Sequence, residues 1–197
     1  MIRAKSTEEP CVLKETSTVL QTSGRSDSLT EFNNIANDHN IGAEIFIPFA
    51  IARLQEDASQ TEVTLTVKLR NINGDNSERR LRLFWFNENR PIQPIAVQER
   101  VVTEWAACGV ACAVIASCTN LRISQVAAEG DRFDYWLSGG EQEYGLEISG
   151  TMTDELNSRH NIKMRQLRDN PYEVDGYVVV IGFSTKEAII SFNSFRE

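Results

Sequence analysis

The stretch FDYWLSGGEQEYGLEIS, residues 133–149, decides how this chain folds. Apolar and polar residues alternate on both sides of Gly139-Gly140, the period-2 pattern of two antiparallel strands joined by a turn. With Ser138–Glu143 as a six-residue loop and Leu137 opposite Tyr144, Trp136 lies opposite Gly145 and Asp134 opposite Glu147. Phe133, Tyr135, Leu146 and Ile148 then share the other face with Leu137 and Tyr144. Directly opposed side chains have Cβ atoms only ~4.5–5.5 Å apart, and like charges at that spacing repel. A divalent cation such as Mg2+ or Mn2+ would remove the repulsion, because hard cations take one or two carboxylates together with waters and phosphate oxygens. The plainer alternative makes Asp134 and Glu147 ordinary polar residues on the wet side of a half-exposed hairpin.

Outward from the hairpin the pattern becomes helical. Upstream, from Ile95, the apolar residues Val97, Val101, Trp105, Cys108, Cys112 and Ile115 fall at steps of three or four, and Ala106, Ala107, Gly109, Ala111 and Ala113 fill the rest of the circumference. A helix apolar nearly all round is a buried one, packed closely on a sheet. Leu121–Ala128 reads as a strand between that helix and the hairpin. Downstream, Thr151–Asp154 resembles a capping box for a helix that runs to about Arg168 and is stopped by Asn170-Pro171. On it Leu156, His160, Lys163 and Leu167 share one face, which turns Lys163 toward the sheet; the alternative is a lysine whose stem lies on apolar turns while its ammonium reaches water. Tyr177–Phe183 is an unbroken apolar run, as in a strand covered on both faces, and Ala188–Phe192 supplies a last strand. Helix, three strands, helix, two strands predicts an α/β (α+β) fold: a mixed sheet with an αβββαββ core and helices on both faces.

That layout resembles the restriction-endonuclease-like, PD-(D/E)xK nuclease superfamily over about Ile95–Phe192. The resemblance implies a divalent-metal-dependent nuclease acting on DNA or RNA, with Asp134 as the metal-binding Asp, Glu147 as the acidic residue of the motif, and Glu104 as the supporting Glu of the first helix. Glu99 competes with Glu104 for that place. The motif lysine is replaced by Ser149, which cannot supply a positive charge; some superfamily members carry the lysine on a neighbouring element, and Lys163 is the donor available here. The other implied outcome is a nuclease fold without catalysis that serves as a protein-protein assembly or regulatory subunit.

The rest of the chain narrows these options. Residues 1–42 read as a mobile tail: the first 30 residues hold ten Ser or Thr and no aromatic. Residues 43–90 read as an antiparallel β-meander extending the main sheet, from AEIFIPFAIARL through the alternating Thr61–Leu69 to Arg80–Phe86, and residues 91–197 as the core. With 20 Lys+Arg against 28 Asp+Glu, the net charge of -8 argues against autonomous tight binding to a polyanion. A protein partner or a homodimer is therefore expected. Two basic concentrations offer local exceptions: Arg159, Lys163, Arg165 and Arg168 on the second helix, and Arg79, Arg80, Arg82 and Arg90 near Trp85 and Phe86, which could hold single strands by charge and stacking. His160 has no second ligand nearby in sequence and reads as a helix-surface residue. Trp105–Ala116 is too short to span a bilayer, and the N-terminus lacks a secretory signal, so a cytoplasmic protein is expected. Cys11, Cys108, Cys112 and Cys118 read as buried thiols rather than a disulfide framework, since three of them lie on one helix.

Overall fold

In the computed structural model, residues 27–86 and 97–195 are described. The hairpin forms in the expected register, Tyr135 opposite Leu146, Trp136 opposite Gly145 and Leu137 opposite Tyr144. Its strands β5 (Tyr135–Gly139) and β6 (Gln142–Thr151) run further toward the turn than expected, so the connection is Gly140-Glu141 and not a six-residue loop. Gly140 makes this possible: its φ of 71° lies in the left-handed region that side chains disfavour. Because both strands lengthen equally, the register is unchanged.

Around the hairpin, α2 (Glu99–Cys118), β4 (Arg122–Val126), α3 (Leu156–Arg168), β7 (Gly176–Gly182) and β8 (Glu187–Asn193) follow in the anticipated order. Thr151–Asp154 does not cap α3, which starts later behind Glu155 without a side-chain cap. The Thr151 hydroxyl instead accepts the Thr153 N–H at 3.1 Å and finishes β6. The three α2 thiols among the described residues are free. By length and composition α2 could cross a membrane, but 61% of its most apolar window is buried inside the fold, as in a core helix. Cys11 and Arg90 lie outside the described residues.

The N-terminal half departs most from expectation. AEIFIPFAIARL is not a strand: Ala43–Ile45 is a 3-10 turn and Ile47–Leu54 is helix α1. Its buried residues Ile47, Ala50, Ile51 and Leu54 have helical spacing, and Pro48 sits in the first turn, where its missing N–H costs nothing. The β-branched content concealed that period. The meander is thus two strands, β2 (Glu62–Ile72) and β3 (Asp75–Phe84). Residues 27–42, expected as tail, carry strand β1 (Asp27–Glu31) and a 3-10 segment, Phe32–Asp38, whose Phe32 and Ile35 are buried. Residues 1–26 of the expected tail lie outside the described part.

All strands form one eight-stranded mixed sheet in the order β1-β3-β2-β8-β7-β6-β5-β4, with β1–β3, β2–β8 and β6–β7 parallel. The chain is therefore α/β in class. Alternation along the central strands separates two faces. Val179 and Ile181 of β7 and Ala188 and Ile190 of β8 join α1 and α2 in the main core. Val178, Val180 and Ile189 point the other way and meet Leu156 and Leu167 of α3 in a smaller cluster. Glycines let α2 approach closely: a Cβ on Gly150 would stand 2.9 Å from the Thr103 carbonyl oxygen, and one on Gly109 3.0 Å from that of Phe46.

Candidate functional site

Asp134 stands one residue before β5, where the ladder to β6 begins. Its N–H donates to the Leu146 carbonyl at 2.9 Å, and its Oδ2 accepts the Ile148 N–H at 2.7 Å. Both bonds pin the carboxylate against β6. Glu147 comes from that strand on the α3 face, with no solvent exposure. Its Oε1 accepts from the Lys163 ammonium, while Oε2 is buried with no hydrogen-bond partner among the described residues. Lys163 also reaches Gln166 Oε1 at 3.4 Å. The α3 stripe therefore does turn inward, and Lys163, 19% exposed at its side chain, is a wall residue rather than a snorkelling one.

Burial pushes the Glu147 carboxyl up to about 7; the neighbouring Asp134 charge pushes the same way, and Lys163 opposes it. Asp134 is also raised by burial, with the Ile148 N–H and Lys163 opposing and Glu104 adding to the rise. One cation balances two carboxylates only partly.

The group borders a cleft of about 560 Å3. Asp134, Ile148 and Ser149 lie at its base, Arg159 and Lys163 on the α3 side, and Arg100, Glu104 and Trp105 on the α2 side. Ser149 thus lines the cleft, and Lys163 brings the ammonium from the neighbouring helix. Glu104 lines the same cleft but is half-exposed and paired with Arg100 at 2.9 Å. Glu99 is elsewhere, paired with Arg53 of α1. The facing wall belongs to the β4–β5 loop. There Asp131 is buried, accepting the Ala128 N–H and the Tyr172 hydroxyl, each at 2.8 Å, which fixes the approach to Asp134.

Among the described residues, no group of three or more His, Cys, Asp or Glu side chains could hold a metal ion. The donor set that remains is Asp134 with Glu147, two hard oxygen ligands of which Glu147 Oε2 is buried and unpartnered. Both are of the chemical type that a magnesium-like cation takes together with waters and phosphate oxygens.

His160 is not on the helix surface. It is buried, its Nε2 2.8 Å from Ser191 Oγ and its Nδ1 without a partner among the described residues. The basic cluster on α3 divides: Arg159 and Lys163 line the cleft, while Arg168 donates to Asn193 Oδ1 at 2.9 Å. Arg79, Arg80 and Arg82 sit on β3, four places from β6 in the sheet; the nearby Trp85 is buried and offers no stacking surface, whereas Phe86 is 55% exposed and lines a surface depression with Arg82. Burial raises the thiols of Cys108 and Cys118 to about 11, which keeps them protonated and inert. Sequence reasoning missed Arg100 and the exposed face of Trp105. The signal was the spacing of Arg100, Glu104 and Cys108, one stripe of α2 that lines the cleft with Trp105 beside it.

In comparisons with known proteins, no family model matches the chain, and neither a curated protein nor a solved structure matches it.

Proposed function

We propose that the chain is a divalent-metal-dependent nuclease that hydrolyses phosphodiester bonds in DNA or RNA, a divergent relative of the PD-(D/E)xK enzymes with Lys163 in place of the motif lysine. One observation carries this reading: the buried Glu147 of β6, the part-buried Asp134 at the entry to β5 and an ammonium from the crossover helix converge beside a cleft bearing two further arginines. Asp134 and Glu147, through its unpartnered Oε2, are the residues that would hold Mg2+ or Mn2+. When bound, such a cation supplies positive charge for the phosphate and lowers the pKa of water. Lys163, fixed by Glu147, keeps an ammonium at the cleft wall, where the charge developing on the phosphate needs a donor that does not have to reorganise. Arg159 and Arg100 hold the flanking phosphates, each as a charged fork rather than a point charge. Free thiols accord with a cytoplasmic location.

A second reading keeps the fold without the chemistry, as a subunit that assembles with other proteins. The Lys163–Glu147 pair favours it, because it neutralises one carboxylate with no metal at all. To separate the two, the purified protein is incubated with labelled plasmid, single-stranded DNA and RNA in Mg2+ or Mn2+. Cleavage that falls about 100- to 1,000-fold in both Asp134→Asn and Lys163→Met supports the enzyme. Cleavage that survives both substitutions removes the site. No cleavage, with no Mn2+-induced rise in melting temperature, supports the subunit.

A further inference from the structure

Building on the nuclease reading, we infer that Trp105 is a stacking platform for an unpaired base, so that the cleft takes single-stranded nucleic acid in preference to duplex. Trp105 is 41% exposed on a helix whose next residues, Ala106 and Ala107, are wholly buried. Its indole lines the same cleft as Asp134 and Lys163. The Phe49 ring of α1 holds it edge-to-face, with centroids 4.8 Å apart and planes at 80°, so the platform is braced before any ligand arrives. At the end of β4, where the facing loop begins, Val126 is 68% exposed, which gives the mouth a second apolar surface. An aromatic surface beside Arg100, Arg159 and Lys163 matches the two parts of a nucleotide, a π-face and a phosphate. In a duplex both faces of each base are covered by its neighbours, and only an unpaired base can lie on the indole. The cleft volume of about 560 Å3 suits one or two nucleotides, being within the range of roughly 300–1,000 Å3 usual for small-molecule sites.

The test measures anisotropy of a labelled short oligothymidine, the matching oligouridine and the oligothymidine duplexed with its complement, in chelator and again in calcium. The full chain is compared with Trp105→Ala and Trp105→Phe. Trp105→Ala should weaken single-strand binding at least about five-fold, the effect of removing one stacked base, and leave duplex binding unchanged. Trp105→Phe guards against a folding defect in the alanine variant: it should bind within about three-fold of the native chain but lose the quenching of tryptophan emission that the oligonucleotide causes. That readout is specific because Trp85 is buried and Trp136 lies outside the cleft lining. Failure of native protein to bind any single strand, equal affinity in all three proteins, or equal loss on duplex would each overturn the inference. Asp134-dependent cleavage indifferent to Trp105 would sink the platform and keep the nuclease. Trp105-dependent binding with no cleavage in Mn2+ would do the reverse.

Discussion

The two faces of the sheet are built from opposite materials. The face under α2 is a continuous apolar core in which eleven residues of that helix are buried, almost all small or aliphatic. The face under α3 holds a core of six buried apolar residues, and beside it Glu147, Ser149, His160 and Ser191, all buried and polar. Burial of apolar area stabilises by about 25 cal/mol per Å2, whereas a buried polar group costs free energy unless partnered. The α2 face therefore holds the fold together, and the α3 face spends part of that stability on preorganised charge. A single substitution of similar violence should have unequal consequences on the two sides.

The largest difference is expected from charge. Val110→Asp puts an unpaired carboxylate into the α2 core, where the native residue has no exposure. Its cost of several kcal/mol is comparable with the whole stability of a domain, about 5–15 kcal/mol, and far-UV circular dichroism should show no cooperative melting. Lys163→Met on the α3 face should melt cooperatively near the native temperature at neutral pH. Glu147, already raised to about 7, takes up a proton instead of remaining a lone buried charge. A folded Val110→Asp protein would show that the α2 face is not the main store of stability.

Packing gives the next effect. Gly150→Val drives a branched side chain between β6 and α2, against the Thr103 carbonyl oxygen and the Ala107 methyl, 2.9 and 3.0 Å from the added Cβ alone. Overpacking of this kind costs about 1–3 kcal/mol, which a lowered urea midpoint with an unchanged slope would register. Should the midpoint not move, α2 does not rest on β6 as closely as this glycine requires.

These positions also mark where sequence and structure part. The β5–β6 register was legible because period-2 alternation and a turn centre are local properties. Lys163 was legible because the spacing of Leu156, His160 and Leu167 fixed its helix face. β1 was not: an edge strand of five residues, it is defined by its parallel partner Arg80–Phe84, far along the chain. α1 was misread because Ile and Phe favour strands, while the helical spacing of Ile47, Ala50, Ile51 and Leu54 carried the true signal. The cleft could not be anticipated, since which side of α2 faces a gap depends on how Gly109 and Gly150 let it cross its neighbours. His160 looked like a surface residue for the same reason, its burial being decided by Ser191 of a distant strand.

His39 gives a smaller effect, visible only as a pH dependence. Buried where the 3-10 segment meets α2 and β4, it accepts the Ile123 N–H at Nδ1, at 3.0 Å, so its proton sits on Nε2 and is donated to the Cys112 carbonyl at 2.9 Å. Burial lowers its pKa, although the Cys112 carbonyl works in the other direction. The native state therefore excludes a proton that the unfolded chain accepts below about pH 6.5, and stability present above that pH is lost as pH falls through the native value. His39→Asn retains an acceptor for Ile123 and cannot titrate. The difference in unfolding free energy between variant and native protein, from urea titration, should shrink on going from pH 7.5 to 5.5, by at most about 1.4 kcal/mol per pH unit. A difference independent of pH would mean that His39 titrates alike in both states.

The smallest effect should come from Lys68, although its position invites the opposite guess. It lies on β2 at the seam with β8, where the N-terminal hairpin joins the rest of the sheet, and its ammonium is 2.8 Å from Glu187 Oε1. The side chains are 36% and 31% exposed, so the part-buried pair on the α3 side of the sheet is still reached by water and partly screened. On the opposite side of the same strands Val67, Leu69, Ala188 and Ile190 are all in the main core. If the α2 face carries the stability, those four residues and the parallel ladder hold the seam, and Lys68→Met should cost no more than about 1 kcal/mol, less in high salt. A loss above about 2 kcal/mol would mean that the hairpin is held by polar contacts on the α3 side, and the division of labour between the faces would fail where two parts of the sheet meet.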